Sequence, residues 1–269
     1  MLLTVDHVTR YRYDRPVRGL VQSHRLTPAS NDGQNVLDWK VSVTDGLPGG
    51  TFRDGAGDFV KGWSVMGPVS EVTVTVSGRV ETRDMAGVLR GHREWTPPDC
   101  YLHETAPTRI DATLMAVAEE VRGFTDALDA AHRLSALVSE AIVYTPGSTQ
   151  SQTTAAEAMT QKQGVCQDHA HALLAVARGA GLPARYVSGY LLADAEGAAH
   201  DAAHAWAEVW IAGLGWVGFD PANECCPDDR YIRLGSGLDA QDAAPIRGVS
   251  RGPGVESLDV MVAVQSVQQ

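Results

Sequence analysis

The stretch Gly164-Val165-Cys166-Gln167-Asp168-His169 decides how this sequence is read, because it places a thiol where a helix begins. Beyond Cys166, apolar residues recur at Ala170, Leu173, Leu174 and Ala177, and the pattern stops at Gly181 and Pro183. That is the 3.6-residue period of a helix with Cys166 in its first turn. Unpaired amide N–H groups and the positive end of the helix dipole favour thiolate over thiol there, and the thiolate is the nucleophile. Asp168 in the same turn reads as a charge that favours the dipole rather than as an acid catalyst.

Upstream, a helical stripe at Ile110, Leu114, Val117 and Val121 stops at Gly123, and a second runs through Leu134, Val138 and Ile142. A third helix begins at Thr154, where Thr154 and Glu157 make a capping-box pattern, and is expected to end at Gly164. Downstream of Pro183 the period changes to two. Strands are expected over 185–192, 203–211, 215–219 and 258–267. His204 begins the second of these, and Asp220 ends the third after the tight connection Gly213-Leu214-Gly215-Trp216. Neighbouring antiparallel strands can bring His204 and Asp220 within hydrogen-bond reach. A helix packed on them presents Cys166, so Cys166, His204 and Asp220 are the candidate nucleophile, base and orienter.

Four separated blocks, Gly164-Val165-Cys166-Gln167-Asp168, the run from Gly181 to Tyr190, His204-Ala-Trp-Ala-Glu-Val-Trp210 and Gly215-Trp-Val-Gly-Phe-Asp-Pro-Ala-Asn223, occur in order. Together they resemble the transglutaminase-like superfamily, and specifically its bacterial cysteine-protease-like members with an N-terminal β-domain. Tyr11-Arg-Tyr-Asp-Arg-Pro-Val17 and the segment from Tyr231 to Gly248 resemble the same family. The resemblance implies an α+β protein with a papain-like catalytic core and a Cys166-His204-Asp220 triad. It also implies acyl transfer through a thioester on a peptide or protein substrate. Hydrolysis is the favoured outcome; the alternatives are a protein-glutamine transglutaminase and a non-catalytic binding module that keeps the fold. No cofactor is called for.

The first third alternates cleanly. Leu3, Val5, Tyr11 and Tyr13, then Leu37 to Val43, then Val72, Val74 and Val76 mark an antiparallel sheet with one buried face. Arg53-Asp-Gly-Ala-Gly-Asp58 reads as a hairpin turn rather than a cation site. Pro97, Pro98 and Pro107 with Gly87 and Gly91 interrupt the periodicity. The expected division is therefore an N-terminal antiparallel β-domain over 1–84, a linker over 85–106 and the catalytic core over 107–269.

Composition narrows the partners. The 269 residues carry 33 acidic against 22 basic side chains, a formal charge of −11, which disfavours nucleic acid or an anionic membrane as the main partner. The start, Met-Leu-Leu-Thr-Val-Asp-His, lacks a signal-peptide pattern, and no segment could span a bilayer, so a cytoplasmic location is expected. Cys100, Cys166, Cys225 and Cys226 show no disulfide-framework spacing and are expected to be thiols.

A zinc site built from His169, His171, His200, His204, Cys225 and Cys226 is the weaker reading, since His169 and His171 fall on different helix faces and no metal-ligand motif occurs. Trp206, Trp210 and Trp216 read as buried aromatic core, and Glu208 as a solvated charge or a support to the site. One oxyanion donor is the Cys166 backbone N–H. The second is not located, with Tyr144 and Gln163 only weak candidates.

Overall fold

The computed structural model describes residues 1–192 and 203–267. The chain begins with four strands, β1 (Leu2–His24), β2 (Gln34–Val43), β3 (Gly46–Arg53) and β4 (Phe59–Thr82). Helices α1 (Ala112–Glu119) and α2 (Ala127–Ala141), the two-residue strand β5 (Val143–Tyr144), helix α3 (Ala155–Gln161) and strand β6 (Gln163–Gly164) lead to α4 (Cys166–Gly179). Strands β7 (Ala184–Leu191), β8 (Ala203–Ile211), β9 (Gly215–Phe219), β10 (Tyr231–Gly237), β11 (Ile246–Arg251) and β12 (Glu256–Ser266) complete it. This is an α+β fold. None of its described helices is long and apolar enough to cross a membrane.

Two antiparallel sheets and a helical layer position the site. The first sheet has the order β11-β1-β4-β2, with β12 also pairing β1 and β3 pairing β4; the second has the order β10-β7-β8-β9. In β1 the expected alternation holds, with Leu3, Val5, Tyr11 and Tyr13 buried. A register shift between Arg12 and Val17 bends this long strand, so its first half pairs β12 and its second half pairs β11.

The second sheet is covered on both faces. Ala205, Ala207 and Val209 pack with α4 and the other helices in one apolar cluster. From β7 and β10, Tyr190, Ile232 and Leu234 enter the cluster of the first sheet. Tyr190 also bonds His7 Nδ1 through its hydroxyl at 2.8 Å. Sandwiched in this way, β10 is buried along its whole length. Helix α4 is likewise enclosed: every residue from Asp168 to Arg178 is buried, beyond the single apolar stripe that its sequence displays. At its C-terminal end Arg178 donates to the carbonyls of Tyr101, Ala184 and Leu238 and to Thr108 Oγ1, which satisfies a guanidinium deep in the protein.

One part of the expected division sits elsewhere. The C-terminal strands, assigned with the core over 107–269, sit instead in the first sheet, where Leu3 faces Ser266 and His24 faces Ile246. The edge of β1 is a row of unpaired backbone groups, and these strands are what satisfies it. The expected linker over 85–106 packs on the second sheet. Val88 bridges Val217, Leu89 N–H donates to Trp216 O, and Gly218 N–H donates to Gly87 O, all within 3.0 Å for the two hydrogen bonds. Gly87 has φ +77, and a Cβ there would lie 2.9 Å from Cys226 Cβ.

Candidate active site

The entry to α4 is built by three contacts. Helix α3 has the expected capping box at Thr154 and Glu157, but it stops earlier than Gly164, with Lys162 in the left-handed conformation at φ 57. β6 then pairs in parallel with β5 and delivers the chain to Cys166. The Asp168 carboxylate reaches back, accepting the Val165 N–H at 2.8 Å and the Thr149 hydroxyl at 2.6 Å. That is half of a capping box, so Asp168 is a helix-start residue as its position suggests. Gly164 is needed for space: a Cβ there would sit 2.7 Å from Asp168 Cβ.

Cys166 is half-buried and free, as are Cys100, Cys225 and Cys226 in exposed or half-buried positions. His204 is buried on β8 and faces Cys166, to which its side chain hydrogen-bonds. Its Nε2 lies 2.6 Å from Asp220 Oδ2. Asp220 is fully buried and accepts from five donors. Oδ2 takes His204 Nε2, Asn223 Nδ2 at 2.7 Å and Tyr231 OH at 2.8 Å; Oδ1 takes the backbone N–H groups of Ala222 and Asn223 at 3.1 and 3.3 Å. The Asp-Pro turn and the histidine contact are therefore made by the same carboxylate, one oxygen for each.

Electrostatics follow from these contacts. Burial opposes charge on His204, but hydrogen bonds to Asp220 and Cys166 and their negative charges outweigh it, lifting the imidazole from 6.5 to about 10. Burial likewise opposes ionisation of Asp220, yet its bonds from His204, Asn223 and Tyr231 hold the carboxyl below its ordinary value. The set can carry an imidazolium beside a thiol at neutral pH. Trp206 stacks on His204 at 24° and meets Tyr231 edge-on with centroids 5.5 Å apart, so the imidazole is walled by aromatic rings.

Sequence reasoning missed Asn223 and Tyr231 as partners of Asp220. Asn223 lay in a motif already quoted, and its offset of three from Asp220 is the signal that could have found it. Glu208 is no solvated charge: it is buried between Arg185 Nε at 2.6 Å and Arg233 Nε at 3.0 Å. Arg233 continues to Asp58 Oδ1 at 2.6 Å, and Arg185 to Glu94, whose other oxygen takes Trp216 Nε1. Asp58 also accepts Ser236 N–H at 2.7 Å. The Arg53–Asp58 turn, with Gly57 at φ +84, thus forms the expected hairpin and docks on β10 through a buried carboxylate.

The residues considered for zinc are engaged elsewhere. His169 bonds the carbonyls of Val165 and Ile142, His171 Nε2 accepts the Ala240 N–H, and Cys225 Sγ lies 3.3 Å from Tyr231 OH. His200 lies outside the described residues. Tyr144 and Gln163 fall on β5 and β6, the paired strands that lead to Cys166, and Trp216 is buried as expected.

Comparison with known proteins agrees with this architecture. Residues 115–221 match the transglutaminase-like superfamily, and residues 3–81 match the bacterial transglutaminase-like N-terminal region. The chain belongs to the transglutaminase-like superfamily. It is 31% identical over 275 residues to an uncharacterised protein of Mycobacterium leprae, covering 97% of this chain and 98% of that one. A protein-glutamine gamma-glutamyltransferase of Pseudomonas aeruginosa is 34% identical over 84 residues, 29% of this chain and 12% of that protein. A crystal structure from Cytophaga hutchinsonii, named provisionally as a cysteine protease, shares the fold with a TM-score of 0.73 at 20% identity, covering 100% of this chain and 92% of that one.

Proposed function

We propose that this transglutaminase-like protein is a cysteine-dependent acyl transferase acting on amide bonds of peptides or proteins, with hydrolysis as its outcome. The observation that carries the reading is His204, bonded to Asp220 through Nε2 and near enough to Cys166 for the thiol to favour its charged form. In the proposed cycle the Cys166 thiolate attacks the amide carbon, and the Cys166 N–H at the start of α4, which has no intrahelical acceptor, holds the oxyanion. His204, as imidazolium, gives its Nδ1 proton to the departing amine when the C–N bond breaks and the thioester remains. It then takes a proton from water, hydroxide attacks the thioester, and the acid is released as the thiolate returns.

Asp220 keeps the ring oriented and favours its charged form throughout. A second reading, in which a primary amine replaces water, draws support from the 84-residue likeness to the Pseudomonas aeruginosa gamma-glutamyltransferase. One experiment separates the two. Purified protein is incubated with a peptide amide library in the presence and absence of a primary amine, and products are read by mass spectrometry. Released acid dependent on Cys166 supports hydrolysis; amine-linked product formed in preference to acid supports the second reading. Neither product, with Cys166→Ala indistinguishable from wild type, overturns both.

A further inference from the structure

β12 borders the first sheet, and among the described residues no strand pairs its outer edge. Val267 N–H donates to Leu2 O at 2.9 Å and Asp14 N–H to Val255 O at 3.2 Å, and the ladder between them runs without a register shift. The odd-numbered residues of β12 therefore bond β1. Glu256, Leu258, Val260, Val262, Val264 and Ser266 aim their backbone N–H and C=O groups away from it. An edge of this kind is a template for another strand.

The other free borders of the same sheet are blunted. β2 carries Asp38, Lys40 and a register shift between Val36 and Asp38; β3 carries Pro48 and a shift between Pro48 and Thr51; β11 carries Arg247, Gly248 and Arg251. β12 has no Lys, Arg, Pro or Gly in its 11 residues. Its two carboxylates are engaged by β1: Glu256 accepts the Tyr13 hydroxyl at 2.9 Å, and Asp259 Oδ2 lies 3.9 Å from Arg10 Nη1. Leu258 and Val260 stand opposite buried Tyr11 and Thr9, on the face that looks into the protein, yet they are 57% and 47% exposed. An apolar row on the interior side of the sheet is cut short at its edge.

The strand is complementary to itself. Antiparallel pairing about a two-fold axis through Met261 sets Leu258 against Val264 of the second copy, Val260 against Val262 and Glu256 against Ser266. Every outward-facing backbone group then has a partner, and the apolar row continues from one molecule into the next. A shift of two residues either way leaves groups at the ends unpaired. Asp259 falls opposite Ala263, and the two copies of Asp259 stay roughly 14 Å apart, beyond the Debye length at physiological salt. No like charges face each other, which matters for a chain of formal charge −11. We infer that the protein forms a two-fold dimer by edge-to-edge pairing of β12, with Met261 on the axis and one continuous sheet across both copies. Such a contact is isologous and closes on itself, so it ends at two molecules.

Sedimentation velocity of the full chain, at concentrations up to about 100 μM, should show twice the mass of one chain. Val260→Pro removes an outward N–H from each copy without touching the β1 ladder, and Leu258→Lys places a charge on the apolar row. Both residues are exposed at the edge, so each variant should keep the wild-type far-UV circular dichroism and weaken dimerisation at least about tenfold. Leu258→Lys guards against a backbone effect of the proline. In a Cys100→Ser background, which removes the exposed thiol, mild oxidation should link Met261→Cys to its own copy across the axis. Ser257→Cys, which the register places opposite Gln265, should stay unlinked; peptide mapping identifies the joined residues. A monomer throughout this range, a dimer unaffected by both edge variants, or Ser257→Cys linking as readily as Met261→Cys would overturn the pairing.

Discussion

Tyr231 donates its hydroxyl to Asp220 Oδ2 at 2.8 Å, the same oxygen that His204 Nε2 approaches to 2.6 Å. Tyr231 opens β10, eleven residues past Asp220, so the strand beyond the motif holds the carboxylate that orients the imidazole. Removing this donor by Tyr231→Phe frees one oxygen lone pair and leaves four donors in place. Because hydrogen bonds to charged groups are worth about 1.5–3 kcal/mol, the variant should lose roughly tenfold in acyl-transfer rate, whereas Asp220→Ala should lose about 10³-fold or more. Steady-state kinetics on one peptide amide compares them, and equal losses would show that Tyr231 does more than hold Asp220.

Alkylation of Cys166 should outpace that of exposed Cys100 at neutral pH, and His204→Ala should remove the difference. The imidazole is raised from 6.5 to about 10, so it stays positively charged through neutral pH. The stability it contributes is fully present below 6.5 and is lost as the pH rises through about 10. Peptide mapping after iodoacetamide treatment at a series of pH values measures this for each cysteine. A Cys166 profile that matches exposed Cys100 would remove the ion pair from the proposal.

The buried ion network predicts acid sensitivity. Burial raises the Glu208 carboxyl, but Arg233 and Arg185 outweigh it and bring the group from 4.5 to about 2. Stability from this depressed carboxylate is present above 4.5 and is lost as the pH falls toward 2, a change of about 3 kcal/mol across the window. Glu208→Gln should unfold with a flatter acid limb and be about 3–5 kcal/mol less stable at neutral pH, because both guanidinium groups would keep their burial and lose a partner. Denaturant unfolding at several pH values checks both statements.

Gly164→Ala tests how the nucleophile is placed. The added methyl would meet Asp168 Cβ at 2.7 Å, and Asp168 holds the N–H of Val165 immediately before Cys166. Overpacking of this kind costs about 1–3 kcal/mol, and here it should also slow Cys166 alkylation at neutral pH by displacing the start of α4. Unchanged alkylation with reduced stability would mean that the helix start yields without moving the thiol.

Much of this was legible before any coordinates. α4, its starting cysteine and the strands that carry His204 and Asp220 follow from period and turn chemistry, because each depends on residues close in sequence. What stayed hidden depends on long-range coverage. Glu208 sits in a strand whose alternation looks half-solvated, and only the first sheet and the segment carrying Glu94, which lie over that face, turn it into a buried pair with Arg185 and Arg233. Asp58 likewise reads as turn chemistry, and its carboxylate finds Arg233 across 175 residues. The C-terminal strands follow the core in order, yet the unpaired flank of β1 is where their backbone groups are satisfied.

That pairing sets an order of events during synthesis. β1 is synthesised before the core, and its partners β11 and β12 after it, with Leu3 opposite Ser266. The whole core, from α1 to β10, is translated between them. A growing chain therefore carries β1 with one flank open while the core is made, when strand-to-strand association between neighbouring nascent chains is most dangerous. Emergence of β11 and β12 closes the flank, so a strand made before the core is completed by strands made after it.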